Sequence, residues 1–200
     1  MIVRAAHSGL TAVESSGQVG TTMPRETQVL DADGIRACLE SMAAQIAARA
    51  GDGVPVVLVG IHTRGVPVAA RLRECLAGLG VPAGSGALDI ALHRDDHGRR
   101  KTVPVVRITE IHAPVDGARV VLCDDVLFTG RTIGAALDGL RDLGRPARVE
   151  LAVLVDRGHR ELPIQANVVG LRLETTRAQH IRVRLAETDG ADGVFLLEDP

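Results

Sequence analysis

Residues 120–133 read V-V-L-C-D-D-V-L-F-T-G-R-T-I, and this stretch decides the fold. An apolar run from Arg119 to Cys123 predicts a strand buried on both faces. It meets two adjacent carboxylates, Asp124 and Asp125, and then Val126, Leu127 and Phe128. A small-residue loop follows, Thr129-Gly130-Arg131-Thr132, and opens directly into a helix. Each part has a chemical use. A helix N-terminus offers unpaired N–H groups and the positive end of its dipole. Gly130 removes the Cβ that would hold an anion off the backbone, and Thr129 and Thr132 add hydroxyl donors. Such a loop is a cradle for a monophosphate. The two aspartates just upstream suit the hydroxyls of a ribose. Paired like charges at a buried strand end repel one another, so a fold seldom places them there without a ligand to hold. The stretch is not a P-loop, because no G-x-x-x-x-G-K-[ST] occurs in the chain.

Outward from this segment the chain alternates strand and helix. Arg25 to Leu30 reads as extended. Asp31 or Asp33 then caps a helix to about Ala50, with Ile35, Leu39, Met42 and Ile46 on one stripe. Val54 to Ile61 reads as a second buried strand. It is followed by a Thr63-Arg64-Gly65 turn and a helix carrying Val68, Leu72, Cys75, Leu76 and Leu79. Ala87 to Leu92 reads as a strand, and residues 93–117 as a polar, mobile segment with room for a short hairpin. A helix is predicted over Thr132–Leu143, ended by Gly144 and Pro146, and a buried strand over Arg148–Val155. Short strands follow near Asn167–Leu173, His180–Leu185 and Gly193–Leu197. The alternation predicts an α/β fold with a mainly parallel, twisted sheet flanked by helices. Ligands of such sheets sit at the carboxyl ends of the strands. Three turns are therefore singled out: 62–65, 124–132 and 156–160.

Composition narrows the function. The chain has 200 residues and a net charge of −2, so no global field draws it to nucleic acid or a membrane surface. Trp and Tyr are absent, and the two Phe are Phe128 and Phe195, which excludes binding by rows of stacked rings. Of 23 basic residues only Lys101 is a lysine; the rest are arginines, the residue suited to bidentate anion recognition. Cys38, Cys75 and Cys123 are odd in number and far apart, so they predict neither a disulfide framework nor a metal knuckle. No apolar run spans a bilayer and no export signal opens the chain. A cytoplasmic protein without membrane association is expected. His93 and His97 flank Asp95 and Asp96, but they read as a solvated loop rather than a metal site.

The quoted segment resembles the PRPP-binding signature of type I phosphoribosyltransferases. Four stretches together are similar to the PyrR family of pyrimidine-operon attenuators and uracil phosphoribosyltransferases. They are G-I-H-T-R-G-V at 60–66, L-D-I-A-L-H-R-D-D at 88–96, D-D-V-L-F-T-G-R-T at 124–132, and the run from Leu143 to Ile164 with its D-R-G-H-R-E-L-P-I. The resemblance covers roughly residues 25–198. It implies a type I phosphoribosyltransferase fold with a flexible hood loop and a single domain over 25–200; residues 1–24, rich in Gly, Ser, Thr and Ala without clear periodicity, read as a disordered tail.

The resemblance also implies a reaction, uracil plus PRPP giving UMP and pyrophosphate, with Mg²⁺ and no dedicated metal motif. Asp124, Asp125 and Arg64 would be catalytic. Thr63, Arg64 and Gly65 would hold pyrophosphate, and residues 124–132, from Asp124 through Val126, Leu127 and Phe128 to Thr132, the ribose 5-phosphate. Arg94 and Arg107 would reach the site from the hood loop, and Val155, Asp156 and Arg157 would lie beside the base. Partners implied are PRPP, uracil, UMP and the messenger RNA of a pyrimidine operon, with a homo-oligomer, dimer or tetramer, as the assembly. Two alternatives stay open: a nucleotide-sensing RNA-binding attenuator with vestigial catalysis, and a phosphoribosyltransferase for another base. The chain departs from the family in places. Phe128 stands where Tyr is usual, the first helix carries only Arg36 and Arg49 as bases, and 170–176 is less basic. Arg172, Arg177, Arg182 and Arg184 remain as a local basic stripe.

Overall fold

The computed structural model describes residues 2–3, 25–49, 53–91 and 109–198. In chain order the elements are β1 (Ile2–Val3), β2 (Arg25–Leu30), α1 (Ala32–Ala47), β3 (Val56–Ile61), α2 (Gly65–Gly78), β4 (Ala83–Leu88) and β5 (Glu110–Ile111). Then come β6 (Arg119–Leu127), α3 (Arg131–Arg141), β7 (Arg148–Asp156), β8 (Val168–Leu173), β9 (His180–Arg184), α4 (Ala186–Asp189) and β10 (Gly193–Glu198). A seven-stranded sheet has the order β1-β8-β7-β6-β3-β4-β5, and a three-stranded antiparallel sheet has the order β2-β10-β9. Every pairing in the large sheet is parallel except β4 with β5.

The apolar runs are explained by burial on two faces. Along β3, Val56 and Leu58 join one core with α1 and α2, while Val57, Val59 and Ile61 join a second core with α3. β6 splits the same way, Val121 and Cys123 to the first core, Val120 and Leu122 to the second. The first core also takes Val183, Leu185 and Val194, so the small sheet is fastened to the large one through α1 and α2. The Asp31 carboxylate caps α1 by accepting from the Gly34 N–H at 2.8 Å.

Some boundaries differ from the sequence reading. β4 lies at Ala83–Leu88 rather than 87–92, because A-G-S-G lacks strand propensity and is held extended by pairing with β3, Val56 to Ala83 through Ile61 to Leu88. The small glycines there have a reason: a side chain at Gly86 would meet Ile111 of β5 at 2.8 Å. β6 continues four residues past Cys123, to Leu127, paired on β7 alone. Leu79, read as part of an apolar stripe, is exposed. Ile2–Val3 pairs with β8, so these two residues depart from the tail reading; residues 4–24 lie outside the described ones.

At the end of the sheet away from the strand carboxyl termini, Arg119 is buried and paired with buried Glu150 at 2.8 and 3.0 Å. Its third edge donates to the Ile46 carbonyl, which ties α1 to the sheet. Glu150→Ala leaves this guanidinium charged and without its buried counter-ion. The expected cost is about 3–5 kcal/mol, measured as a lowered urea midpoint with an unchanged slope.

Candidate functional site

β3, β6 and β7 are parallel neighbours, so the three turns singled out from sequence open at the same edge of the sheet. β6 separates from β3 after the pair Gly60–Cys123 and follows β7 onward. The turn of α2 fills the place vacated beside β6. A Cβ on Gly65 would lie 2.2 Å from the Cys123 carbonyl oxygen and 3.3 Å from the Asp124 Cα, so only glycine allows this approach. The N-terminal end of α2 is thereby set against the strand that carries the acids. The peptide bond between His62 and Thr63 is cis.

Asp124 is buried and Asp125 partly so. The Asp124 Oδ1 accepts from the Asp125 N–H at 3.0 Å, and the Asp125 Oδ1 from the Val126 N–H at 2.9 Å. Burial pushes the Asp125 carboxyl above its ordinary value, while hydrogen bonding and the nearby Arg64 charge pull the other way without cancelling it. Arg64, at the N-cap of α2, gives Nε and Nη2 to the Asp189 carboxylate at 3.1 and 2.7 Å. Asp125 adds to the negative field on it. Gly130 is the N-cap of α3 with φ of 91°, a left-handed position, and contributes no capping side chain. The Thr129 carbonyl accepts from the Glu161 and Leu162 N–H groups, which fastens the loop to the turn after β7.

A family model described as a phosphoribosyl transferase domain matches residues 26–188. The "Bifunctional protein PyrR" of Chloroflexus aurantiacus is 52% identical over 178 residues, 88% of this chain and 97% of that protein. The protein of the same name from Deinococcus deserti is 49% identical over 179 residues, with coverage of 88% and 97%. This chain belongs to the PyrR branch of the phosphoribosyltransferases. Solved structures agree on the fold. The hypoxanthine phosphoribosyl transferase of Trypanosoma cruzi matches with a TM-score of 0.68 at 18% identity, covering 86% of this chain and 91% of that one. The HGPRT-ase of Leishmania tarentolae matches at 0.67 and 16%, covering 87% and 97%.

Placed on this phosphoribosyltransferase, the sequence-derived residues fall into three groups. Thr63, Arg64, Gly65, Asp124, Asp125 and the loop through Thr132 come together at the sheet edge. Leu127 and Val155 are buried, so there it is the backbone that reaches the edge. Arg157 is also buried and turns inward: its guanidinium lies 4.1 Å from the Phe128 ring centroid and donates to the carbonyls of Thr176 and Gln179. Asp156 accepts from Arg160 and from the Gly158 N–H. Arg94 and Arg107 lie outside the described residues; of the segment 93–117 expected to form the hood loop, residues 109–117 are described, and Glu110–Ile111 pairs there as β5 with β4.

The sequence reading missed two supports of this phosphoribosyltransferase site. Arg160 lies in the 156–160 turn that the sequence singles out, with no role assigned to it; it braces the loop, donating to the carbonyls of Phe128 at 2.8 Å, Gly158 at 2.9 Å and Ile164 at 3.1 Å. Its place in D-R-G-H-R-E was the available signal. Asp189 comes from 125 residues beyond Arg64 and had no local signal. A cavity of about 740 Å³ adjoins the loop, lined by Asp156, His159, Arg160, Arg172 and Thr175 among others. The predicted basic stripe is partly neutralised: Arg182 and Arg184 face Glu26, and Arg177 faces Glu161.

The raised Asp125 carboxyl has a stability consequence. Its folded pKa lies above the unfolded one, so its ionisation destabilises the fold above the folded pKa, and this penalty vanishes as pH falls toward about 4. Asp125→Asn in the ligand-free protein should raise Tm at pH 7, with the gap to wild type closing as pH falls toward about 4 in a series of thermal melts.

Proposed function

We propose that the chain transfers the 5-phosphoribosyl group of PRPP to uracil, releasing UMP and pyrophosphate. We further propose that pyrimidine nucleotide bound at this site governs its contact with pyrimidine-operon messenger RNA. One observation carries the reading. An acid pair with Asp124 buried and Asp125 partly so, an arginine and a small-residue loop at a helix N-terminus converge on one edge of a parallel sheet, where a sugar bearing phosphates at both ends would fit.

The roles follow from charge. The N–H groups of the loop at 129–132 and the Thr129 and Thr132 hydroxyls suit the 5-phosphate. Asp124 and Asp125 suit the ribose hydroxyls as acceptors. Arg64 suits pyrophosphate, whose charge grows as it leaves. In this reaction the C1–oxygen bond to pyrophosphate breaks, a C1–nitrogen bond to uracil forms, and the uracil nitrogen loses its proton. The ribose ring becomes oxocarbenium-like in between, so the work is positioning and charge stabilisation rather than covalent catalysis. A carboxylate pair below the sugar favours that cationic ring.

Among the described residues no three His, Cys, Asp or Glu side chains gather as a metal cluster. The hard carboxylates of Asp124 and Asp125 fit Mg²⁺, which keeps much of its shell as water and substrate oxygens. Held by these carboxylates, Mg²⁺ would supply positive charge that offsets the charge building on the departing pyrophosphate. Arg157 supports the base side by holding Phe128 and the 175–179 segment in place. No helix among the described residues is long and apolar enough to cross a membrane. Soluble substrates and three free cysteines support a cytoplasmic setting. The homo-oligomer implied by the family is part of the same proposal.

Replacing Asp124 and Asp125 together by Asn should lower turnover of uracil with PRPP at least about 10³-fold; retained turnover would overturn the site. A panel of bases with PRPP should give product with uracil, and preference for a purine would reassign the base. A pyrimidine-operon leader hairpin should bind more tightly with UMP and more weakly with rising salt. No binding at low salt would remove the regulatory half alone.

A further inference from the structure

A dense set of matched charges lies where α2 meets the connection between β9 and β10. Arg71 gives Nε and Nη2 to the Glu187 carboxylate at 2.8 and 2.7 Å, and Nη1 and Nη2 to the Asp192 carboxylate at 2.7 and 2.8 Å. Both open edges of the guanidinium are used, and the side chain is 21% exposed. Asp192 also accepts from the Ala186 N–H at 2.7 Å. Asp189 sits between these two acids in sequence. Its carboxylate accepts from Arg64, from the Leu185 N–H at 3.0 Å and from the Thr188 hydroxyl at 2.6 Å.

The geometry is ordered from the helix outward. Arg64 and Arg71 are seven residues apart, so they lie on one stripe of α2, two turns from each other. α4 spans four residues and buries none of its side chains. A single turn of that kind does not hold itself in water. It is carried between the paired strands β9 and β10 and closed by its own bonds to Leu185 and Ala186, and the arginine forks tie it to α2; the Arg71 fork is the stronger because it grips the connection on both sides of Asp189. Arg64 in turn is held through its Nε/Nη2 edge and lies in the field of Asp125.

We propose that Arg71 is a positioning residue for pyrophosphate recognition. By clamping Glu187 and Asp192 it fixes α4, and Asp189 on α4 then holds the Arg64 guanidinium in one orientation beside the acid pair. The inference rests on the reading of Arg64 as the pyrophosphate-facing cation. It assigns a role to a side chain separated from the substrate by the α4 connection and Arg64.

The test uses the full chain with Arg71→Gln, Arg71→Lys, Asp189→Asn, the Arg71→Gln/Asp189→Asn double variant and Arg64→Gln. Arg71→Gln should raise the KM for PRPP and the inhibition constant of pyrophosphate about tenfold, while the KM for uracil stays within about twofold. Asp189→Asn should do the same, and the double variant should be no worse than either single one. Arg71→Lys should recover only part, since one ammonium cannot span two carboxylates. Additive effects in the double variant would overturn the proposal. So would an unchanged or lowered KM for PRPP in Arg71→Gln, the latter showing that Asp189 competes with pyrophosphate for Arg64. If Arg71→Gln does not fold by thermal melting, Glu187→Gln carries the same test. If Arg64→Gln leaves PRPP binding unchanged, the Arg64 reading itself fails. If Arg64→Gln weakens PRPP and Arg71→Gln does not, only the positioning role fails.

Discussion

Two carboxylates stand side by side at the end of β6, a strand that is buried from Arg119 to Asp124. Their mutual repulsion and desolvation oppose folding, and much of the surrounding structure offsets that cost. The strand is kept going past Cys123 by its ladder with β7. The backbone N–H groups of Asp125 and Val126 turn toward the carboxylates. Gly65 lets α2 come against the Cys123 carbonyl, and this brings the Arg64 charge to the acids.

Guanidinium groups take the place that aromatic rings hold in other small domains. Arg119 joins α1 to the sheet from inside the core. Arg160 gathers the carbonyls of Phe128 and Gly158. Arg157 links Phe128 to the segment after β8. Both phenylalanines of the chain carry an arginine over the ring face, Arg157 on Phe128 and Arg184 on Phe195. Cation–π contact and forked hydrogen bonding therefore hold the loops that flank the site. The arginine excess seen in composition has structural employment at these positions. It also explains why a basic surface is not simply available: several of these cations are already spent inside the fold.

The buried central strands and the helices were legible because their signals are local. Val56–Ile61 is apolar throughout since both faces are covered, and α1 carries its cap and its stripe within sixteen residues. The acid pair and the loop to Thr132 were legible for the same reason, since one strand and one turn contain them. β4 was shifted because A-G-S-G extends only under the influence of β3 and β5. The far end of β6 was cut short because carboxylates are poor strand residues unless a neighbour pairs them. The small antiparallel sheet was not foreseen as a unit, since β2 is separated from β9 and β10 by most of the chain.

The sequence by itself determined the α/β alternation, the family and the set of acids, hydroxyls and glycine at the candidate edge, because periodicity, strand-end acids and a glycine loop are each written in neighbouring residues. Only the tertiary structure decided which cations face that edge and which are turned away. Arg64 meets Asp189, Arg71 meets Glu187 and Asp192, and Arg157 points inward, through contacts between residues as much as 125 positions apart. The direction of a guanidinium depends on which acceptors folding brings to it, and those acceptors have no sequence proximity to reveal them.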